Sequence, residues 1–239
     1  MDGATPLLVV AVSSNDAWNL SRGAGGRDGP RDLIVVDMLL PFDFRAHRPG
    51  SLVAVQAPTA WIGLAPETVR SGVEHLREGN PLIGFVRDHV RHLAGVAAEC
   101  PESLPDLAEP TGAIIRSMLL TSVDAAERSQ SSELVAAVKR YIDEHLTDAD
   151  LGAQTIAAAH HVSTRKPYSA WPTAEGRLSD YVIRRRLDRA RDSLVVQQHR
   201  TIPAVARAHG FSDATHFTKR FRAAYGMTPS RWRRDHTGV

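Results

Sequence analysis

Short apolar runs rich in β-branched residues alternate with turn-forming residues in the first part of the chain. The runs lie at residues 7–12, 33–37 and 51–55, and a glycine-rich segment at 21–30 separates the first two. β-Branched residues favour strands, whereas clusters of glycine and proline favour turns. The pattern over residues 5–60 therefore predicts a small antiparallel sheet or barrel.

From residue 66 onward the apolar positions recur with the period of a helix. Helices are predicted over residues 67–79, 82–99 and 114–123, most clearly over 82–99. Prolines at positions 101, 105 and 110 punctuate the stretch before the third helix. Because proline disrupts the interior of a helix, this stretch is predicted to be a connection.

The second half of the chain is predicted to be helical. The small and polar residues 126–132 are expected to form a linker between an N-terminal domain, residues 1–125, and a C-terminal domain, residues 133–239. Helices of the C-terminal domain are predicted over residues 133–146, 152–160, 164–171 and 179–196.

The segment after residue 200 predicts two short helices joined by a glycine turn. Thr201 is expected to cap the first helix, Gly210 to end it in a left-handed conformation, and Ser212 to cap the second. The second helix has one apolar stripe, formed by Phe217, Phe221 and Tyr225. Its other face is small, polar and basic. This is the geometry of a helix-turn-helix, whose second helix can lie in the major groove of DNA.

A similar pair of helices precedes this segment. His160 and His161 lie in its expected turn, and Ser163 is expected to cap the helix over 164–171. The long helix over 179–196 then connects the two pairs. About 17 helical residues span about 25 Å, which can place two recognition helices about one DNA turn, ~34 Å, apart. Its arginines are expected to lie largely outside: Arg184, Arg185, Arg186, Arg189 and Arg191.

The two halves of the chain carry opposite net charge. Residues 1–130 contain 11 Lys and Arg against 16 Asp and Glu, a net charge of −5, whereas residues 131–239 contain 18 against 11, a net charge of +7. The overall charge is +2. A basic half that coincides with two helix-turn-helix units indicates a polyanionic partner for that half.

Other features argue against several classes of protein. No apolar run reaches the ~18 residues needed to cross a membrane, and no secretory signal is expected. A single cysteine, Cys100, excludes an internal disulfide and suits a reducing cytoplasm. His89 and His92 lack a third metal ligand at a fitting spacing, so packing or solvated histidines are favoured. No metal site, cofactor or nucleophile–base pair is predicted, and the chain is not expected to be an enzyme.

Specific residues of the C-terminal half resemble the signature of the AraC/XylS family of transcription regulators. In the second helix-turn-helix the matching residues are 202–206, 210–213, Phe217, Phe221 and 225–229. In the first they are Leu151, Ile156, Ala157, Val162, Ser163 and Arg165. The N-terminal half resembles the family more loosely: residues 32–37 and 41–42 are similar to the later strands of a cupin-like sensor domain, whose first strands are expected to be missing.

The resemblance implies an α+β fold, with a small, partial cupin-like antiparallel sheet and helices in the N-terminal domain and an all-α DNA-binding domain with two helix-turn-helix units. It also implies sequence-specific binding of double-stranded DNA by two recognition helices that read adjacent major-groove segments. The residues expected to contact DNA are Arg165, Lys166, Tyr168 and Ser169 in the first helix and Ala214, Thr215, Thr218, Lys219 and Arg222 in the second.

Further candidate partners of such a regulator are a second copy bound through residues 1–125, RNA polymerase and a small-molecule effector of unspecified chemistry. Two alternatives stay open: a dimerising interaction module with impaired DNA binding and, less favoured, an enzyme. Repair proteins with related helix-turn-helix units need a cysteine nucleophile in its own motif, and the residues around Cys100 do not form one.

Pro167 departs from the family pattern, which usually has leucine at this position of the first recognition helix. If Ser163 is the N-cap, proline removes the first hydrogen bond to the cap carbonyl. The helix is then expected either to begin late, which would pull Arg165 out of the groove-facing turn, or to absorb a strain of up to ~3 kcal/mol. Both outcomes would weaken the first unit and leave the second intact.

Overall fold

The computed structural model describes residues 6–14, 18–21, 32–148 and 150–237. All but the first residue of the glycine-rich segment 21–30 lies outside the described residues. The chain separates into two compact units, Met1–Arg128 and Ser129–Val239. No helix among the described residues is both long enough and apolar enough to cross a membrane.

The described strands of the first unit form two antiparallel sheets. They are β1 (Leu7–Ser13), β2 (Trp18–Ser21), β3 (Leu33–Asp37), β4 (Asp43–Ala46) and β5 (Leu52–Pro58). The larger sheet has the strand order β3–β1–β5, with Val10 of the central strand opposite Val35 on one side and Val55 on the other. Strands β2 and β4 form the smaller sheet. The small antiparallel sheet predicted from the apolar runs is thereby confirmed.

Both faces of the larger sheet are covered. Leu8 and Val10 belong to a core that the sheet shares with the helices of the unit. Ala11 belongs to a second cluster, against which Leu20 and Phe44 of the smaller sheet pack. Because successive residues of a strand point to opposite faces, two covered faces explain why β1 reads as an unbroken apolar run and not as an alternating one.

Helices provide the other part of this core. They are α1 (Thr59–Ile62), α2 (Pro66–Glu74), α3 (Ile83–Glu99) and the first part of α4 (Leu104–Glu144). Helix α2 ends five residues earlier than predicted, because the chain turns at His75 and places Leu76 in the core. It also crosses α4 closely: a Cβ on Gly72 would lie 2.8 Å from the Cβ of Leu119.

Helix α4 joins segments that the sequence separates. It contains the predicted helix 114–123 and most of the proline-rich stretch before it. The predicted connection at these prolines is wrong, because Pro105 falls in the first turn, where no intrahelical N–H partner is needed, and Pro110 is accommodated inside the helix.

The expected linker, residues 126–132, is helical and continues α4 to Glu144. These residues include no glycine or proline, and Ala, Glu, Arg and Gln all favour helices. Most of them are exposed, so their polarity marks the surface of a helix. The border between the two compact units falls after Arg128, inside this helix.

All regular secondary structure among the described residues of the second unit is helical. After the end of α4 come α5 (Ala153–Ala159), α6 (Arg165–Ala170), α7 (Leu178–Val196), α8 (Ile202–Ala208), α9 (Ala214–Tyr225) and α10 (Pro229–Thr237). Two apolar clusters hold them together, and α7 contributes to both, with Leu178 and Val182 in one and Leu187 and Leu194 in the other. The structure confirms an α+β chain with a helical C-terminal unit that contains two short helix pairs.

Candidate nucleic-acid interface

The second helix-turn-helix, α8 and α9, is closed by local contacts. Thr201 caps α8 as predicted, because its side-chain oxygen accepts from the N–H of Ala204 at 3.3 Å. Gly210 has a φ of +77°, which confirms the left-handed turn. A Cβ at Gly210 would lie 2.8 Å from the carbonyl oxygen of Leu146 and 2.8 Å from Cζ of Arg186, so glycine is required for its conformation and for its size.

Asp213, and not Ser212, caps helix α9. The Asp213 carboxylate accepts from the N–H groups of Thr215 at 2.8 Å and of His216 at 3.1 Å. The predicted cap is wrong by one residue, because a carboxylate can satisfy two first-turn N–H groups at once whereas a serine hydroxyl has one oxygen. These hydrogen bonds, first the one from Thr215, lower the pKa of Asp213 below its ordinary value.

The inner face of α9 is aromatic, as predicted. Phe217 and Phe221 are fully buried, and Tyr225 is half-buried beside them. The helix ends at Gly226, which has a φ of +76° and donates its N–H to the carbonyl of Arg222 at 2.9 Å. The glycine stop at this end of the helix is also confirmed.

The outer face of α9 carries the residues expected to contact DNA. Thr215, Lys219 and Arg222 are exposed. Ala214 and Thr218 are half-buried, and the Thr218 hydroxyl donates to the Ala214 carbonyl at 2.9 Å. The structure therefore brings all five residues onto one helix, with three of them fully available to a ligand.

The first helix-turn-helix, α5 and α6, makes its turn without glycine. His161 has a φ of +53°, the left-handed conformation that Gly210 takes in the second unit. His160 is half-buried, with its ring 5.7 Å from the ring of Tyr141. Both histidines thus lie in the turn, as predicted from the motif.

Helix α6 begins less firmly than α9. Thr164 precedes it in a helical conformation and makes no side-chain capping bond. The predicted cap at Ser163 is wrong: its backbone carbonyl accepts from the N–H of Lys166 at 2.9 Å, and its side chain does not act as a cap. The chain enters α6 through a tight turn and not through a capped one.

Pro167 is accommodated by this entry. It is the third residue of α6 and is buried. The first N–H groups of a helix have no intrahelical partner, so proline at this position removes no hydrogen bond from the helix. The late start considered from the sequence is not observed, because α6 begins at Arg165. The Pro167 carbonyl accepts from the N–H of Trp171 at 3.0 Å, and this hydrogen bond closes the last turn of α6.

The expected contact residues of α6 point to solvent. Arg165, Lys166, Tyr168 and Ser169 are all exposed, and 52% of Tyr168 is accessible. The Ser169 hydroxyl donates to the Lys166 carbonyl at 3.1 Å, so it is partly engaged. All four lie within one six-residue helix.

The two recognition helices can be superposed by their buried residues. Each recognition segment has two buried residues four positions apart: Pro167 in α6 with Trp171 directly after the helix, and Phe217 and Phe221 in α9. In this alignment the position of Lys166 corresponds to His216, which is exposed and which the motif did not include among the expected contact residues. The shared spacing of the two buried pairs is the sequence signal that aligns His216 with Lys166.

The connector helix α7 uses much of its positive charge inside the unit. Arg186 donates to three carbonyl groups: those of Leu146 at 2.8 Å, Gly210 at 2.9 Å and Asp148 at 2.7 Å. Burial lowers the pKa of Arg186, an effect that the charge of Asp148 partly opposes. This arginine joins the entry of the first helix-turn-helix to the turn of the second.

Other arginines of α7 are engaged as well. Arg185 forms an ion pair with Asp143 of α4 at 2.8 Å, and Arg189 donates to the Asp143 carbonyl at 3.0 Å. Arg191 lies over the Tyr225 ring, 5.5 Å from its centroid. The predicted outward placement holds for Arg184 and Arg189 and is wrong for the other three, which are half-buried. Sequence periodicity missed them because a long arginine side chain can fold back onto nearby acceptors: carboxylates for Arg185 and Arg191, and carbonyls for Arg186.

The histidine and cysteine considered for chemistry in the first unit make local contacts. The His89 ring nitrogen Nε2 lies 2.9 Å from the Thr111 hydroxyl, and burial, followed by the nearby His92, lowers the pKa of His89. The thiol of Cys100 donates to Glu102 at 2.8 Å. These contacts describe a packed histidine and a half-buried thiol.

Known proteins are similar to this chain in sequence. The family described as a helix-turn-helix domain matches residues 156–235. The chain is 27% identical over 250 residues to the transcriptional activator NphR of Rhodococcus sp, which covers 100% of this chain and 72% of NphR. It is 25% identical over 144 residues to the transcriptional activator RhrA of Rhizobium meliloti, which covers 60% of this chain and 42% of RhrA.

A solved structure is also similar, a transcriptional regulator with an AraC-type DNA-binding domain from Chromobacterium violaceum. It is 25% identical with a TM-score of 0.41, covering 45% of this chain and 96% of that chain. The chain spans less than half the length of RhrA. The family match over residues 156–235, together with the regulators of similar sequence, shows that the chain carries an AraC-type helix-turn-helix domain and is a DNA-binding transcription regulator.

Proposed function

We propose that this regulator activates transcription by reading two adjacent major-groove segments, one with α6 and one with α9. The observation that carries the proposal is the equivalent pair of reading faces, each exposed beside a buried pair of residues. Helix α7 packs into the clusters behind both, and its 19 residues measure about 28 Å, close to the ~34 Å of one DNA turn. NphR and RhrA, both transcriptional activators, support the direction of regulation.

The exposed side chains suit base recognition. Arg165 and Lys219 can donate to the acceptors of guanine in the major groove. The methyl groups of Thr215 and Ala214 can contact thymine. The remaining predicted contact residues border these positions: Lys166, Tyr168, Ser169, Thr218 and Arg222. Exposed basic side chains supply phosphate contacts, which set register and give most of the affinity.

Site-specific substitutions test the two-segment arrangement. DNA fragments would be selected from a random library with the full chain, and the selection repeated with the Arg165→Ala and Lys219→Ala variants. Each lost base contact is expected to cost about 1–3 kcal/mol and to relax base preference in a different half of the site. Arg140→Ala, an exposed arginine on α4, is the control and should keep the preference. Two variants that relax the same few base pairs would refute the arrangement.

Salt dependence tests the interface as a whole. If about six phosphates are neutralised, the logarithm of affinity should fall with the logarithm of salt concentration at a slope of roughly −5. Titrations of one selected fragment at several potassium chloride concentrations give this slope. An affinity that does not change with salt concentration is the outcome expected for the interaction module with impaired DNA binding.

We further propose that residues 1–125 mediate self-association. Large apolar side chains on the helices of the first unit are exposed, with 57% of Trp61 and 59% of Phe85 accessible. A second copy would add a second set of DNA contacts, so deletion of residues 1–125 should lower apparent affinity. Sedimentation at micromolar concentration tests this directly, and a monomer there would contradict it. RNA polymerase and a small-molecule effector stay candidate partners, to be tested by transcription with purified polymerase and by ligand screening of the full chain.

A further inference from the structure

The segment that follows α6 is held by four side chains, the Lys139 cluster: Lys139, Trp171, Glu175 and Tyr181. The ammonium nitrogen of Lys139 lies 2.5 Å from a Glu175 carboxylate oxygen. It also lies 5.6 Å from the centroid of the Trp171 ring and 5.7 Å from that of the Tyr181 ring. The two rings meet edge to face, with their centroids 5.0 Å apart.

The four side chains come from separate parts of the second unit. Lys139 lies in α4, five residues before its end, and Tyr181 lies in the first turn of α7. Trp171 directly follows α6, and Glu175 ends the 3₁₀ turn Thr173–Glu175. The cluster therefore ties the exit of α6 to two long helices.

Helix α6 depends on such a tie. It has six residues and no side-chain cap, and helices of this length are not stable by themselves. On its inner face α6 buries the pyrrolidine ring of Pro167. Trp171, which directly follows the helix, is buried on the same side, with 7% of its surface exposed. Trp171 is thus the large buried side chain at the exit of α6, and the Lys139 ammonium lies against its ring.

The contacts of Lys139 are partly withdrawn from water. Its side chain is 34% exposed and that of Glu175 is 30% exposed. Partial desolvation strengthens a charge-assisted hydrogen bond and a cation–π contact relative to their values on an open surface. One side chain makes both kinds of contact, so a single substitution releases Glu175 and both rings together.

We propose that Lys139 is a positioning residue for DNA recognition, which fixes the exit of α6 and so sets the affinity and base preference of the half-site read by α6. Lys139 does not itself contact the bases. The proposal rests on the proposed function, in which α6 reads one half of the site. It assigns to a residue of α4, outside both helix-turn-helix units, a specific effect on one of them.

The test uses the full chain and a DNA fragment that it selects from a random library. The variants are Lys139→Met, which keeps the length of the side chain and removes its charge, Glu175→Gln and Lys139→Arg. The matched controls are Asp143→Asn and Arg185→Met, which break an α4–α7 ion pair at 2.8 Å with side chains 33% and 36% exposed. This control pair resembles Lys139–Glu175 in its distance and exposure but does not touch the exit of α6.

The readout is the base preference and footprint of each half-site, together with the melting temperature. Lys139→Met should weaken binding about tenfold, with relaxed preference only in the half that Arg165→Ala identifies. Glu175→Gln should shift the same half more weakly, and Lys139→Arg should stay within about threefold of the wild type. The controls should lower the melting temperature without favouring either half.

Each result supports or overturns the proposal. If Lys139→Met and Glu175→Gln alter both halves equally, or behave as the controls do, Lys139 is only a structural residue and the proposal fails. If Arg165→Ala identifies no half-site, the two-segment reading itself fails, which is a separate outcome. Should Lys139→Met not fold, Glu175→Gln, which keeps the lysine on both rings, decides the question.

Discussion

The two helix-turn-helix units share one plan and differ in where their stability comes from. Helix α9 has twelve residues, an aspartate cap with two hydrogen bonds and a glycine stop. Helix α6 has six residues and no side-chain cap. Its buried pair is Pro167 and Trp171, where α9 has Phe217 and Phe221. The second recognition helix is thus specified by its own residues, whereas the first is held by residues elsewhere in the unit.

This difference shows what a recognition helix requires. A rigid reading face can be built from local capping and a continuous aromatic stripe, as in α9, where the ring of Phe221 also packs against Tyr225 and Trp232. It can equally be built by anchoring one aromatic residue at the exit, as Trp171 does for α6. The second solution places the stability of a DNA-reading element under the control of distant side chains.

The largest expected effect comes from removing one buried aromatic residue. Phe217→Ala should destabilise the second unit by about 3–5 kcal/mol, because it opens a cavity in a fully buried cluster. The corresponding change in α6, Pro167→Ala, should cost about 1 kcal/mol, because less side-chain volume is lost. Urea denaturation of both variants gives the two values. Equal losses of unfolding free energy in the two variants would contradict the difference between the two recognition helices.

The turns provide the next contrast. Gly210→Ala should cost about 2–3 kcal/mol, because its Cβ meets the Leu146 carbonyl and Arg186 and its φ is positive. His161→Gly, the matched change in the first unit, should alter the unfolding free energy by less than about 1 kcal/mol, because relief of the left-handed conformation offsets the added backbone entropy. The same denaturation experiment measures both. A tolerated Gly210→Ala would show that the turn of the second unit can relax.

A smaller effect concerns the helix caps and depends on pH. The folded-state pKa of Asp213 is lowered, so its stabilising contribution is present above the unfolded pKa of about 4 and is lost as pH falls through the folded value. Asp213→Ala should therefore lower the melting temperature at pH 7 and have less effect at pH 3. Thr164→Asp is the counterpart in α6 and should gain little, because Thr164 has helical dihedral angles that do not suit a cap. A pH-independent effect of Asp213→Ala would contradict the charged cap.

The smallest expected effect is that of Pro167→Leu. Proline in the first turn removes no intrahelical hydrogen bond, so leucine regains none. Added apolar volume and lost chain rigidity act in opposite directions, each by about 1 kcal/mol or less. The melting temperature and the footprint of the half-site read by Arg165 should both stay close to those of the wild type. A rise of several degrees would restore the view that Pro167 strains the helix.

Sequence-based prediction was more accurate for the second helix-turn-helix, which local residues determine, than for the first. Caps, stripes and glycine stops are local, so Thr201, Gly210 and Gly226 could be assigned from their neighbours in the chain, and the cap of α9 was misplaced by only one residue. The entry of α6 could not, because the start moved from the expected Ser163 and no side-chain signal marks it. The role of Lys139 was equally inaccessible, since it depends on partners more than thirty residues away.

Helix α4 and the arginines of α7 show the other limit. Polarity over residues 126–132 is compatible with a linker and with an exposed helix, and the absence of glycine and proline together with the helix-favouring Ala, Glu, Arg and Gln favours the helix that forms. Periodicity placed Arg185 and Arg186 outside, but it contains no information on the acceptors that the fold brings close, the Asp143 carboxylate for Arg185 and backbone carbonyls for Arg186. Arg185 and Arg186 bind partners about forty residues away in the chain, and contacts of that kind cannot be assigned from the local pattern.

The three carbonyl contacts of Arg186 have a consequence for the way this protein can diversify. The guanidinium fork binds the backbone at Leu146 and Asp148, ahead of the first helix-turn-helix, and at Gly210 inside the second. A lysine has a single nitrogen and cannot occupy all three positions. An exchange of one helix-turn-helix for a foreign copy would therefore keep these contacts only if all three carbonyl positions were preserved. The Arg186 contacts thus couple the backbones of the two helix-turn-helix units, while the side chains on the outer faces of α6 and α9 take no part in this coupling.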